Sequence, residues 1–180
     1  MYPFIRSYLR SSKARRSVRL DPWATTSTML RVTPFDIDPW MELNNGRTLT
    51  LYDLARVPHY IRIGLMGQVD EAGLYITVAG ASVRYRGRIR PFAKVEIRTR
   101  MRGWDRRFLY TEQSIWQGEE CANNVLIRQA IARRGQGIVS PSEVVVKIGL
   151  EPESPPLPEW ITNWIDAEGT RIWPPEMEGV

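Results

Sequence analysis

Residues 36–56 read DIDPWMELNNGRTLTLYDLAR. Two carboxylates one residue apart lead into Asn44, Asn45 and Gly46, and a long apolar run follows from Leu49. Between about 46 and 65, Leu51, Leu54, Ala55, Pro58, Ile61 and Leu65 recur at helical spacing. Leu49, Val57, Tyr60 and Ile63 lie elsewhere around the same cylinder, so the spacing predicts one long helix buried over much of its circumference. Pro58 lacks an amide donor and is expected to bend it, and Gly64 and Gly67 to supply its exit.

Outward from that helix the period changes. Residues 26–35 (TSTMLRVTPF) are expected to form a first strand ending near Pro34. Residues 74–90 alternate, with Val83, Tyr85 and Ile89 on one face and Arg84, Arg86, Arg88 and Arg90 on the other. Residues 94–102 repeat the arrangement, Val95, Ile97 and Met101 opposing Arg98, Arg100 and Arg102, and 107–118 and 121–133 read as two more strands. One strand, one long helix and four strands with short connections give an α+β chain. Short connections require antiparallel pairing, so the helix must lie against one face of a single curved sheet. Ser140-Pro-Ser-Glu143 carries the capping-box pattern of a short helix that Gly149 would stop. Residues 151–158 (EPESPPLP) cannot form regular structure, and Trp160, Ile161, Trp164 and Ile165 then share one side of a final helical turn or two. The chain thus divides into a basic arm or short interfacial helix (1–25), a body (26–150), and a Pro-rich acidic strap (151–180) over the domain or a neighbouring subunit.

Charge sharpens that division. Residues 1–20 hold six basic residues and no acid, and residues 151–180 hold seven acids against Arg171 alone. The head suits a helix on an anionic membrane surface, a cleavable transit peptide or a loosely ordered arm. The excess of +5 resides in the body and favours an anionic partner. Cys121 is the single cysteine and His59 the single histidine, the latter in the middle of an apolar helix. No G-x-S-x-G elbow, P-loop, G-x-G-x-x-G, HExxH or paired CxxC occurs, which argues against triad hydrolases, P-loop enzymes, Rossmann dehydrogenases and zinc enzymes. No apolar run approaches the ~18 residues of a membrane span. The expectation is a cytoplasmic protein, with peripheral membrane contact through the arm as an open alternative.

What remains for chemistry is carboxylate, amide and backbone. Helix-start N–H groups lack internal partners and can polarise a carbonyl, and an acid in the preceding loop could attack that carbonyl or take a proton from water. Spacing alone favours the plainer reading, with Asn44 an ordinary N-cap and Asp36 or Asp38 holding a turn, because D-x-D before a helix is common. The stretch 36–56 nevertheless resembles the signature of the hotdog-fold acyl-CoA thioesterases of the 4-hydroxybenzoyl-CoA thioesterase-like type: D-x-D, then H-x-N-N-[GA]-R-Y-L and an aliphatic helix. RPFAKVEIRTRMRGWDRRFLYTEQ (90–113) and PPLPEWITNWI (155–165) are similar to the subgroup that includes thioesterase superfamily member six. The resemblance spans roughly 26–168. It implies a long helix wrapped by a curved antiparallel sheet, assembled as a homodimer or dimer of dimers with active sites between subunits. It also implies hydrolysis of an acyl-CoA to carboxylate and thiol, with no cofactor beyond the coenzyme A of the substrate and no metal. By the same resemblance Asp38 is the catalytic carboxylate, and Asn44, Asn45, Gly46 and Arg47 form the substrate-binding helix start. Glu42 stands where many relatives have histidine and Thr48 where they have tyrosine. These departures leave a catalytically silent binder of acyl-CoA or lipid as the alternative reading.

The arginine stripes admit three uses: a solvated outer face, capture of coenzyme A phosphates, or a stacking platform for nucleic acid with Tyr85, Phe92 and Trp104. The first takes the largest share. No nucleic-acid motif supports the third, and no nucleic-acid partner is expected.

Overall fold

The helix α2 (Asn45–Arg62) lies across one face of a curled antiparallel sheet, in a computed structural model that describes residues 2–176. The strands are β1 (Thr26–Arg31), β2 (Leu74–Tyr85), β3 (Lys94–Trp104), β4 (Phe108–Gln117), β5 (Glu120–Arg133) and a short β6 (Gly137–Val139). Their order is β1-β3-β4-β5-β2, with β6 beside β5, and every pairing is antiparallel. This is the hotdog arrangement, and it follows from the sequence period. Val95 and Ile97 of β3, Ile115 of β4, and Val125 and Ile127 of β5 point inward together and pack on Leu51, Tyr52, Leu54 and Ala55 of α2. Full burial of such a leucine is worth about 1.5–3 kcal/mol. A second cluster joins the far end of α2 (Tyr60, Ile63) to Met101, Leu109 and Ile131 of the sheet.

Between helix and sheet runs a line of buried polar contacts, one per turn of α2. Tyr52 donates to Asn123. Arg56 donates to Gln113 Oε1 (3.1 Å), whose amide donates to Thr99 Oγ1 (2.9 Å). Tyr60 meets Thr111 and Gln129. His59 is buried beside Thr26, 3.1 Å from Nδ1 to Oγ1, and burial together with the nearby Arg62 charge lowers its pKa to about 4. It is thus a core histidine, held through one ring nitrogen.

Several expectations need correction. β1 ends at Arg31, because Pro34 opens a 3-10 turn, Pro34–Asp36, rather than closing the strand. Gly64, at φ 84°, does break the long helix, but Gly67 sits inside a further helix, α3 (Leu65–Glu71), held by burial of Leu65 and Val69. The capping box does not form: α4 (Ser142–Val145) starts after Pro141 with no side-chain cap, and the Ser140 hydroxyl bonds that of Ser142 at 2.8 Å. Gly149, at φ 92°, ends the segment as expected. The two arginine stripes do not merge, since β4 and β5 separate β3 from β2. The β3 stripe is met by acid: Arg98 pairs with Glu96, while Arg100 and Arg102 share Glu112.

A helix lies near each end of the described chain. The C-terminal helix α5 (Glu159–Gly169) runs three turns over the outer face of the sheet, where Ile161 is buried with Tyr110 and Leu126. Trp104 is a packing residue, stacked on Trp23 with its indole N–H on Pro152 O. At the other end α1 (Phe4–Arg15) lies along the open edge of β1, where Arg6 and Arg10 donate to Arg31 O (3.0 Å) and Met29 O (2.8 Å). No described helix is long and apolar enough to cross a membrane.

Candidate active site

The two carboxylates of the D-x-D pair meet opposite environments. Asp36 is completely buried at the end of the 3-10 turn. Its Oδ2 accepts from the Thr33 hydroxyl (2.7 Å), the Thr33 amide (3.0 Å) and Arg6 (3.2 Å), and its Oδ1 from Arg47 Nη2 (2.7 Å). Burial alone would raise its pKa. The hydrogen bonds from Thr33 and Arg47 and the charge of Arg6 outweigh it and hold the carboxyl below its usual range. Asp36 therefore ties α1, the 3-10 turn and the first turn of α2 together.

Asp38 begins a tight loop. Ile37 and Leu43 form an antiparallel bridge, and between them the Asp38 amide donates to Glu42 O (2.9 Å). Asp38 Oδ1 accepts from the amides of Trp40 (3.0 Å) and Glu42 (3.3 Å), and Met41 takes the left-handed conformation, φ 60°, that closes the turn. The carboxylate is half-buried, with Oδ1 engaged by the loop. The loop delivers the chain to Asn44, whose amide donates to Asp36 O (2.9 Å).

Asn44 is the N-cap of α2, its Oδ1 accepting from the Arg47 amide at 3.1 Å. That amide is thereby used within the helix, and the Arg47 guanidinium is committed to Asp36. The first-turn donors ahead of it, at Asn45 and Gly46, have no acceptor inside the helix. Tyr85, at the end of β2, donates from its hydroxyl to Asn45 O at 3.2 Å, placing a phenol at the helix start where Thr48 has none.

A cavity of about 180 Å³ opens here, lined by Glu42, Asn45, Thr48, Tyr85, Arg88 and Asn123 among others. Glu42 Oε2 faces Arg88 Nε at 3.2 Å across it. Asn45 is thus the one of the five sequence-expected site residues in this lining; Asp38 stands one hydrogen bond away, through Glu42. Tyr85 and Asn123 were not singled out for the site by sequence, and Arg88 only as one of a stripe that could capture coenzyme A phosphates. Their approach depends on β2 pairing with β5, Tyr85 opposite Asn123, across a sequence separation that local pattern cannot bridge. The one available signal was the Tyr85 alternation with the arginine stripe.

Comparison with known proteins supports the family and the fold. The model of the thioesterase-like superfamily matches residues 32–165. Protein THEM6 of Xenopus laevis is 34% identical over 165 residues, covering 90% of this chain and 78% of that protein. Among solved structures, a probable thioesterase from Bartonella henselae superposes with a TM-score of 0.59 at 18% identity, over 65% of this chain and 98% of its own. A DHNA-CoA thioesterase from Staphylococcus aureus does so with 0.62 at 14%, over 81% and 91%. At such identities the structural likeness speaks for the fold alone.

Proposed function

Because the chain belongs to the thioesterase-like superfamily, we propose that it hydrolyses an acyl-CoA thioester at the mouth of α2, with Asp38 as nucleophile or general base. The observation that carries this reading is the meeting of three features: the N-terminus of α2, a cavity lined by Asn45 and Glu42, and a loop whose Asp38 carboxylate accepts from the Glu42 amide. The thioester carbonyl would meet the Gly46 amide, one of the two first-turn donors without a helix acceptor once Asn44 has capped Arg47. Asn45, which lines the cavity, would position substrate or water. Water adds its oxygen to the acyl carbon, and the departing coenzyme A thiolate takes a proton. Arg88, largely exposed at the rim, would meet the anionic carrier end of the substrate.

The partner we propose is a second copy of the chain. β2 is an edge strand twelve residues long, and among the described residues no strand pairs with its outer side. Tyr75, Val78 and Tyr85 are exposed along it. An apolar, unpaired edge of this length is a template for pairing with its twin. The resulting dimer would bring a second subunit to the cavity beside Tyr85.

A second reading is favoured by one contact. Glu42, not Asp38, lines the cavity, and its pairing with Arg88 suits a site that holds acyl-CoA without cleaving it. Thiol release from a panel of acyl-CoA esters separates the two. Hydrolysis predicts release by the wild type and a loss of about 10²–10⁴-fold in Asp38→Asn, the range typical of a general acid–base group. Retained binding with no release in either protein would establish the binder. Activity lost in Glu42→Gln but kept in Asp38→Asn would move the catalytic role to Glu42.

A further inference from the structure

The helix α1 covers the edge of β1 as a ladder. Arg6 and Arg10 reach Arg31 O and Met29 O, so four residues of helix keep step with two of strand. The lengths agree: about 6 Å of helix rise against about 6.8 Å of strand. One further step pairs position 14 with Ser27. Position 14 is Ala14, buried and without a donor. At that missing rung a cavity of about 330 Å³ opens between α1, β1 and the C-terminal end of α2, lined by Arg10, Lys13, Ser17, Thr28 and Arg62 among others.

Among the described residues the lining contains three cations and no acid. Arg62 Nε is sealed from solvent without a hydrogen-bond acceptor. On the other side of Arg62 a second cavity, about 390 Å³, adds Arg15 and Arg19, again with no acid among the described residues. The C-terminal ends of α1 and α2 point toward this seam, but a helix end carries only about half a negative charge. Two such ends cannot balance five cations. The carboxylate that reaches Ser27, Glu96, is itself paired with Arg98 at 2.9 Å. No described carboxylate lines either cavity to balance that positive charge.

We propose that this seam binds a phosphate monoester through Arg10, Lys13 and Arg62. A dianion with three equivalent oxygens matches several converging cations, and guanidinium forks meet such oxygens two at a time. The same chemistry is offered by a soluble phosphate ester, such as the 3′-phosphate of coenzyme A, and by a phosphomonoester lipid headgroup. The lipid source has a surface to meet it. With Arg6 and Arg10 turned toward the body, α1 presents Phe4 (71% exposed), Ile5 (77%), Tyr8 (73%) and Leu9 (61%) to the outside.

The test reads binding rather than turnover, so it is independent of the hydrolase reading. The full chain is titrated calorimetrically with inorganic phosphate and with coenzyme A, and sedimented with phosphatidylcholine vesicles with and without phosphatidic acid. Wild type is compared with Lys13→Gln, Arg62→Gln and, as a general-charge control, Arg134→Gln. Lys13 and Arg134 are both exposed, so those variants fold and decide the matter even should Arg62→Gln prove unstable. Saturable binding of at least one probe is expected, weakened about tenfold by Lys13→Gln, the scale of one charge-assisted hydrogen bond, and unchanged by Arg134→Gln. Preference for coenzyme A over phosphate assigns the soluble source, and sedimentation that requires phosphatidic acid assigns the lipid. No saturable binding to any probe, or an equal loss in Arg134→Gln, overturns the proposal.

Discussion

Asp36 and Asp38 are alike in sequence and differ in everything that their surroundings supply. Removing Asp36 leaves Arg47 and Arg6 facing a buried void, so Asp36→Ala is expected to lower unfolding free energy by about 3–5 kcal/mol in denaturant titration. Asp38, half-buried in a loop, should tolerate Asn with a loss of under about 1 kcal/mol, since an amide oxygen can still accept from Trp40 and Glu42. His59 gives a pH signature. Its folded pKa of about 4 lies below the unfolded value of 6.5, so above 6.5 both states are neutral and nothing is gained or lost. As pH falls from 6.5 to about 4 only the unfolded chain takes the proton, and stability declines by roughly 3 kcal/mol. In His59→Gln that segment of the pH–stability curve should be flatter than in wild type; identical slopes would refute the assignment. The residue types of the helix mouth were legible at this scale, but which of two acids is buried was not. That is settled by Arg6 and Thr33, which no spacing rule connects to Asp36.

The long helix and four of the strands were legible because each carries a sustained period, 3.6 in α2 and two in β2 to β5. What escaped was held by contacts distant in sequence. α3 has only seven residues and owes its existence to buried Leu65 and Val69, and the order of strands depends on pairings that local pattern does not encode. The arginine stripes show the consequence: β2 ends at Tyr85, so Arg86, Arg88 and Arg90 lie beyond it, and two strands separate β2 from β3, whose arginines have acids set against them. The strap α5 is an element whose role is now specific. Its Ile161 fills the outer face of the sheet over Tyr110 and Leu126, and Arg128 lies between the rings of Phe108 and Trp164. Ile161→Ala should cost about 2–4 kcal/mol, measured by chemical denaturation, as for other fully buried aliphatic truncations. A loss within error of zero would mean that α5 is not part of the folded unit.

At the scale of the molecule the sheet has two unlike edges. β1 is closed by the arginines of α1, and β2 is open and apolar. The dimer proposed above would use the β2 side. Val78→Lys, which places charge on the bare edge, is expected to shift sedimentation velocity from dimer to monomer, whereas a charge reversal at Arg134 should leave it unchanged. A dimer undisturbed by Val78→Lys would locate the interface elsewhere. The line of polar contacts beneath α2 has a further effect on the assembled molecule. A rod of leucines on a greasy surface could turn about its long axis at little expense, because aliphatic contacts are interchangeable. Tyr52, Arg56 and Tyr60 each engage particular polar groups of the sheet, so they act as keys in a keyway and fix the azimuth of the rod. Replacing all three with leucine and phenylalanine would leave a chain that still folds but whose amino-terminal amides no longer aim at one point.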